Sequence, residues 1–453
     1  MMQKIGVFLL LWLFTAFFLY SETGEKTLEE KQRDIIRYGT ETEIANLIAT
    51  LKNEKATYLN DELAQIAKDT KNVKIITGVL AFFTEQNRTG LESKAIELIQ
   101  NRYDEQKEAV RSAIEYVGAV KAKDSIKYLQ DILNTDDKSF LNSAIRALGK
   151  IIGSLPADEK KDIADYLINF YKTKEPVDDD KNAIIFALGE SGLDDTIDFI
   201  ADIATNPDER PFRKMTAMEA LGQIKDQKGL NAIFKGIQDT DPNVRASAIA
   251  ALGPFTGEKV DEAIISAFRD SFYKTRLAAA KAAGERKLAA AVPYLRFRAA
   301  NDEVVAVKEA SVRALGQIGN TEAVAALLDL FRQKNIQDQI KIVTAEMLLT
   351  HDAEKYGQEI IKSYQDAKQQ KQKVLQAGLA KVLSEAKAHN LKNLARDLLA
   401  STDIVELSYG LQLAKNNNFT DLADMIKPLR DEKKYGSLAR RAKETLETFG
   451  IRD

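Results

Sequence analysis

Apolar residues recur at three- and four-residue spacing along most of the chain. In "VDEAIISAF" (260–268) and "AVAALLDLF" (323–331) they define one buried helical face. A turn rich in Asp, Asn and Pro follows such segments. A second helical run, rich in small apolar residues, then ends in glycine. The stretch "DTDPNVRASAIAALG" (239–253) shows the turn and the second run together. Asp241 is placed to cap the second helix, and Gly253 suits a left-handed C-terminal stop. The same run closes at Gly149, Gly189, Gly222, Gly253, Gly284 and Gly316, at intervals of 40, 33, 31, 31 and 32 residues. Self-similarity at this period predicts an array of two-helix units rather than a single globular core.

A charge pattern shares this register. Eight residues before the glycines stand Lys181, Lys214, Arg245, Arg276 and Lys308, and aligned units without a closing glycine add Lys74, Arg111 and Lys341. Leu141 breaks the series. Six residues before the bases stand Glu105, Glu175, Asp208, Asp239, Asp270, Asp302 and Asn335. A cation in the first turn of a helix opposes the helix dipole by roughly 0.3–1 kcal/mol, so a recurring one needs a partner. The recurring acid, in the same unit or the next, predicts a ladder of ion pairs.

The unit resembles the short bacterial HEAT-like repeat, the type also named after phycobilisome lyases. Asp241, Pro242, Val244, Arg245, Ala251, Leu252 and Gly253 carry the resemblance. It implies an all-α solenoid of stacked two-helix units, about twelve of them, acting chiefly as a scaffold. Units from 104 to 334 match well. Residues 28–103 and 335–453 keep helical periodicity with a degenerate motif, the latter including a C-terminal cap.

Composition agrees with this reading. Of 453 residues, 45% are hydrophobic and 29% charged, enough to bury a core. The net charge of -3 gives no signal for nucleic acid. There is no cysteine, so disulfides and thiolate chemistry are excluded. The N-terminus is separate. Lys4 precedes an uncharged run of 17 residues from Ile5 to Ser21, read as a signal peptide over 1–21, with a retained anchor as the other reading. Residues 22–27 form a short linker. Either way the body is exported. The periplasm is the first expectation, and the outer face of the inner membrane the second, with membrane contact only if the segment is uncleaved.

Residues for catalysis do not converge. Only two histidines occur, His351 and His389, followed by Asp352 and Asn390 rather than by the glutamate of HEAT-like iron hydroxylases. Half a calcium loop at Asp239, Asp241 and Asn243 lacks its glycine and closing glutamate. The carboxylates of Asp178–Asp180, Asp194 and Asp195 fall at turns, where capping and solvation account for them. The expectation is a non-enzymatic protein without cofactor or metal, recognising another protein. An enzyme's accessory subunit or lyase-type chaperone, and an envelope-polymer binder, are the alternatives.

Charge is uneven along the array. Residues 158–209 carry a net -10 and 269–298 a net +6. The basic stretch suggests a partner-binding patch built from Arg269, Phe272, Tyr273, Lys274, Lys281, Arg286, Lys287, Arg296 and Arg298. Lys274 and Lys281 lie two helical turns apart and share a face. Phe272 and Tyr273 occupy a turn that is polar in other units.

Overall fold

The computed structural model describes residues 26–451. The expected signal or anchor segment, 1–21, and most of the linker lie outside these residues. Everything described is helix and connecting turn, with no strand. No helix among the described residues is long and apolar enough to cross a membrane.

The chain forms two compact units, up to Ser191 and from Gly192 onward. Each is an α-solenoid of antiparallel helix pairs. Five pairs fill the described part of the first and eight fill the second, thirteen in all, in line with the expectation of about twelve. The degenerate flanks pair as well, although the first arm of the last pair is broken into the short segments Ala423–Ile426, Lys427–Arg430 and Glu432–Tyr435. Short connections with strong stop and start signals enforce the pairing. Thr27 with Glu30, and Thr40 with Glu43, build complete capping boxes on Leu28–Tyr38 and Glu41–Glu54. The Asn72, Asp241, Asn320 and Asp403 side chains each accept from backbone amides of the helix they open. Pro211 and Pro242 stand at helix starts, where no amide donor is lost.

One helix spans two pairs. Asp338–Gln369 is continuous except at Asp352, whose backbone leaves helical geometry at φ -159 and ψ 91. The Asp352 carboxylate then accepts from the Lys355 amide at 2.9 Å and caps the segment beyond the break.

The motif glycines act differently from expectation. Gly149, Gly222, Gly284 and Gly316 lie inside right-handed helices, not at left-handed stops. Left-handed C-terminal positions are held instead by residues such as Lys225 and Gly319. The glycines permit close approach. A Cβ on Gly149 would lie 2.8 Å from both Cα and Cβ of Ala187, and one on Gly222 would lie 3.0 Å from Ala251 Cα. Gly118 and Gly284 meet Ala147 and Ala314 in the same way. In each case the glycine of one second helix packs on the alanine of the next unit's Ala-Leu-Gly. At these four positions the motif is thus an inter-unit contact rather than a helix end, whereas Gly253 follows the end of Pro242–Ala251 without taking a left-handed conformation.

Candidate interaction surface

In the second unit the ladder is continuous over three rungs. Lys214 Nζ lies 3.0 Å from Asp239, Arg245 donates to Asp270 at 2.9 and 3.1 Å, and Arg276 donates to Asp302 at 2.7 and 2.9 Å. Each base therefore reaches the acid of the following unit, not its own. Each arginine also donates back to two carbonyls of its own turn. Arg245 Nη1 reaches Asp239 O and Thr240 O, and Arg276 Nη1 reaches Asp270 O and Ser271 O. These bonds answer the dipole problem, because the guanidinium is neutralised by oxygens on two sides. The acids are fixed as well. Asp239, Asp270 and Asp302 each accept from the amide two residues on, in Asp241, Phe272 and Val304.

The remaining basic positions behave differently. Arg111 reaches only the Ser139 carbonyl, at 3.4 Å, and the Lys181 ammonium lies over the Tyr171 ring. Lys308 makes no ion pair among the described residues. The ladder is thus a three-rung device rather than a feature of every unit.

Burial alone would raise the Asp270 and Asp302 carboxyls, but hydrogen bonds from Arg245 and Arg276 and from backbone amides hold both below the ordinary value of 3.8. A lowered folded-state value means the contribution to stability is complete above the unfolded value and is lost as pH falls through the folded one. Denaturation midpoints are therefore expected to hold from neutral pH to about pH 5 as far as these groups are concerned, and to drop below about pH 4. Asp302→Asn should flatten that acid limb. An unchanged limb in the variant would remove the ladder from the explanation.

The nine residues of the basic patch do not form one surface. Lys274 and Lys281 line a groove of about 320 Å³ across three consecutive second helices, Pro211–Ile224, Pro242–Ala251 and Tyr273–Glu285. Small side chains, including Ala246, Ser247, Ala250, Ala278 and Ala282, line it together with Glu219 and Glu285. Desolvation raises the Glu219 carboxyl, although the residue as a whole is exposed. Phe272 and Tyr273 sit at the start of Tyr273–Glu285, their rings 5.4 Å apart and the Lys274 ammonium 5.8 Å from the Phe272 ring.

Arg269 and Arg298 line a separate cleft of about 270 Å³ with Phe268, Pro293, Tyr294 and Phe297. Arg269 lies over Tyr294, and Arg298 over Phe297. Phe297 is 57% exposed, whereas Phe255 and Phe268 are core. Arg286 is bound by Asp261, Arg296 by Asp329 at 3.2 Å, and Arg298 by Asp302 at 3.4 Å. Lys287 takes the left-handed position after its helix. With Arg276 in the ladder, half of the eight bases in 269–298 are answered by carboxylates, all of them supplied from outside that stretch by Asp261, Asp302 and Asp329. The net +6 of the linear sequence is not the charge of a surface.

Asp178–Asp180 open a helix at its favourable end, with Asp180 accepting from Asn142 at 2.9 Å, and Asp194 pairs with Lys228 at 2.9 Å. His351 lines a cleft with Glu346, Asp352, Glu385 and Lys387. The His389 amide donates to Glu354. No group of three or more metal-ligating side chains occurs among the described residues.

A family model described as a spirochaete HEAT repeat protein matches residues 36–445. No curated protein sequence matches. Among solved structures, Kap121p bound to Pho4p is similar at 14% identity and a TM-score of 0.48, covering 92% of this chain and 53% of that one. The chain thus spans about half the length of Kap121p. The CpcE–CpcF complex of the Nostoc phycocyanin lyase is similar at 17% identity and a TM-score of 0.31, covering 56% of this chain and 94% of that one. Human deoxyhypusine hydroxylase follows at 14% identity and 0.27, covering 68% and 100%. These likenesses concern the fold alone.

Proposed function

The chain belongs to the spirochaete HEAT repeat proteins, and from that premise we propose that it is an exported, non-enzymatic scaffold that binds a protein in the second-helix groove of its second unit. The groove carries the reading. Five small side chains line it, and a partner backbone can pack closely against them. Lys274 and Lys281, with Glu219 and Glu285, add charges of both signs. Small walls with charges of both signs suit a polypeptide segment, whose register the charges would set. The body acts outside the cytoplasm, in the periplasm or on the outer face of the inner membrane. The charged N-terminus followed by 17 uncharged residues supports export.

A photo-crosslinking side chain placed at Ala250 or Lys281 in native cells is expected to give one discrete protein adduct. The same probe at Glu262, on a first helix, should not. Filling the groove with Ala246→Leu and Ala250→Trp should weaken capture at Lys281 more than tenfold. Adducts equally frequent at Glu262, or capture only of a small molecule or glycan, would sink the reading.

A further inference from the structure

The ladder stops at Asp302, but its basic position does not. The next two second helices keep Lys308 and Lys341 there, while position 335, where the following acid belongs, is Asn335. Among the described residues Lys308 has no ion-pair partner, and Lys341 lies over the Phe331 ring without one. Two cations thus stand at the dipole's unfavourable end without the carboxylate that justifies Arg245 and Arg276. The ladder does not explain them.

Beside them the same edge of the unit is apolar. Among the described residues from 192 onward, seven large hydrophobic side chains are conspicuously exposed. Six of these fall in the first turn of a second helix, and only Phe297 does not. Tyr273, Val305 and Val374 lie on three of these helices, with Val374 66% exposed and flanked by Lys371 and Lys373. Ile404 and Val405 extend the series. The first turns are neighbours in space. The ladder joins those up to Asp302, and Gln376 donates to Glu406 at 3.2 Å between the starts of Lys373–Glu385 and Ile404–Asn416. Helices packed side by side stand about 10 Å apart, so from Tyr273 to Val405 the first turns of five second helices follow one edge, or rim, four of them with an exposed apolar tip and the fifth, Asp338–Gln369, with Lys341.

We infer that this rim docks on an anionic lipid bilayer. Apolar tips and uncompensated lysines along one edge are the two components that surface attachment requires, since either alone holds a protein weakly. The rim also carries acids. Glu303 lies 3.6 Å from Arg276, Asp403 caps its own helix, and Asp338 opens the helix that carries Lys341. A peptide partner would want a concave seat, and none of the clefts described above is lined by Val305, Lys308, Lys341, Lys373 or Val374. A bilayer needs no such cavity. The groove is lined by other residues.

The absence of native cysteine makes the test direct. Val305→Cys and Val374→Cys, each in the full chain, are labelled with a polarity-sensitive fluorophore, with Phe297→Cys as the comparison. Vesicles of phosphatidylcholine and phosphatidylglycerol should shift both rim emissions to the blue and leave Phe297→Cys unmoved. Vesicles of phosphatidylcholine alone should do neither. Adding Lys308→Glu, Lys341→Glu and Lys373→Glu should abolish the shift without lowering the melting temperature, since an acid suits the first helical turn. The labels read the rim itself, so tethering by residues 5–21 does not produce the signal. An unshifted rim, a shift on phosphatidylcholine alone, an equal shift at Phe297→Cys, or a response to polyglutamate but not to vesicles would each overturn the inference.

Discussion

Arg276→Ala is expected to cost about 3–5 kcal/mol of stability, the range for removing one partner of a buried ion pair. Arg276 and Asp302 side chains are 5% and 0% exposed, so solvent cannot replace what is lost. The variant deprives Asp302 of two donors, and strands the Asp270 and Ser271 carbonyls that Arg276 also serves. Arg298, at 3.4 Å, and the Val304 amide, at 3.0 Å, are what remain beside the carboxylate. Urea denaturation followed by circular dichroism measures the cost. The double variant Arg276→Met with Asp302→Leu should recover most of it, because a buried apolar pair carries no unpaired charge. A single-variant loss below about 1 kcal/mol would assign the rung the strength of an exposed pair.

A comparable effect is expected from Gly149→Val in the first unit. The new Cβ falls 2.8 Å from Ala187 Cα and Cβ, so helices Leu141–Ile152 and Asp178–Ser191 must move apart. Overpacking of this kind costs about 1–3 kcal/mol, occasionally more. Ala187→Gly in the same chain should return part of the loss, since the two positions share one contact and their effects are not additive. Hydrogen exchange should show faster opening in Leu141–Ile152 and Asp178–Ser191. Undiminished protection there, with a wild-type melting temperature, would contradict the close-packing role.

Much of the architecture was readable in the chain because repeat periodicity is a local signal. Helix, turn, cap and basic first-turn position all recur within 31–40 residues. Asp241 caps as its place before Pro242 predicts. The direction of the rungs was not readable, because Arg245 is equally compatible with Asp239 and Asp270 until the units are stacked. Nor was the role of the glycines, since Ala-Leu-Gly at a helix end looks like a stop when the neighbouring alanine is unseen. The basic patch dissolved for a related reason. Asp261 and Asp329 lie outside 269–298 but fold against Arg286 and Arg296, so charge summed along the chain misreports charge on the surface.

The offset of the rungs also sets how the array can be cut or extended. A rung belongs to no single helix pair, because its cation comes from one and its carboxylate from the next. A fragment ending anywhere between Arg245 and Asp270 retains a guanidinium with no acid, and one beginning there retains an acid with no base. Whole-period duplication preserves both halves. A second copy of residues 240–270, inserted after Asp270, would supply its own Arg and its own Asp, and would close every rung it opens. Engineering or gene duplication in this region should therefore favour 31-residue steps, whatever loop the junction falls in.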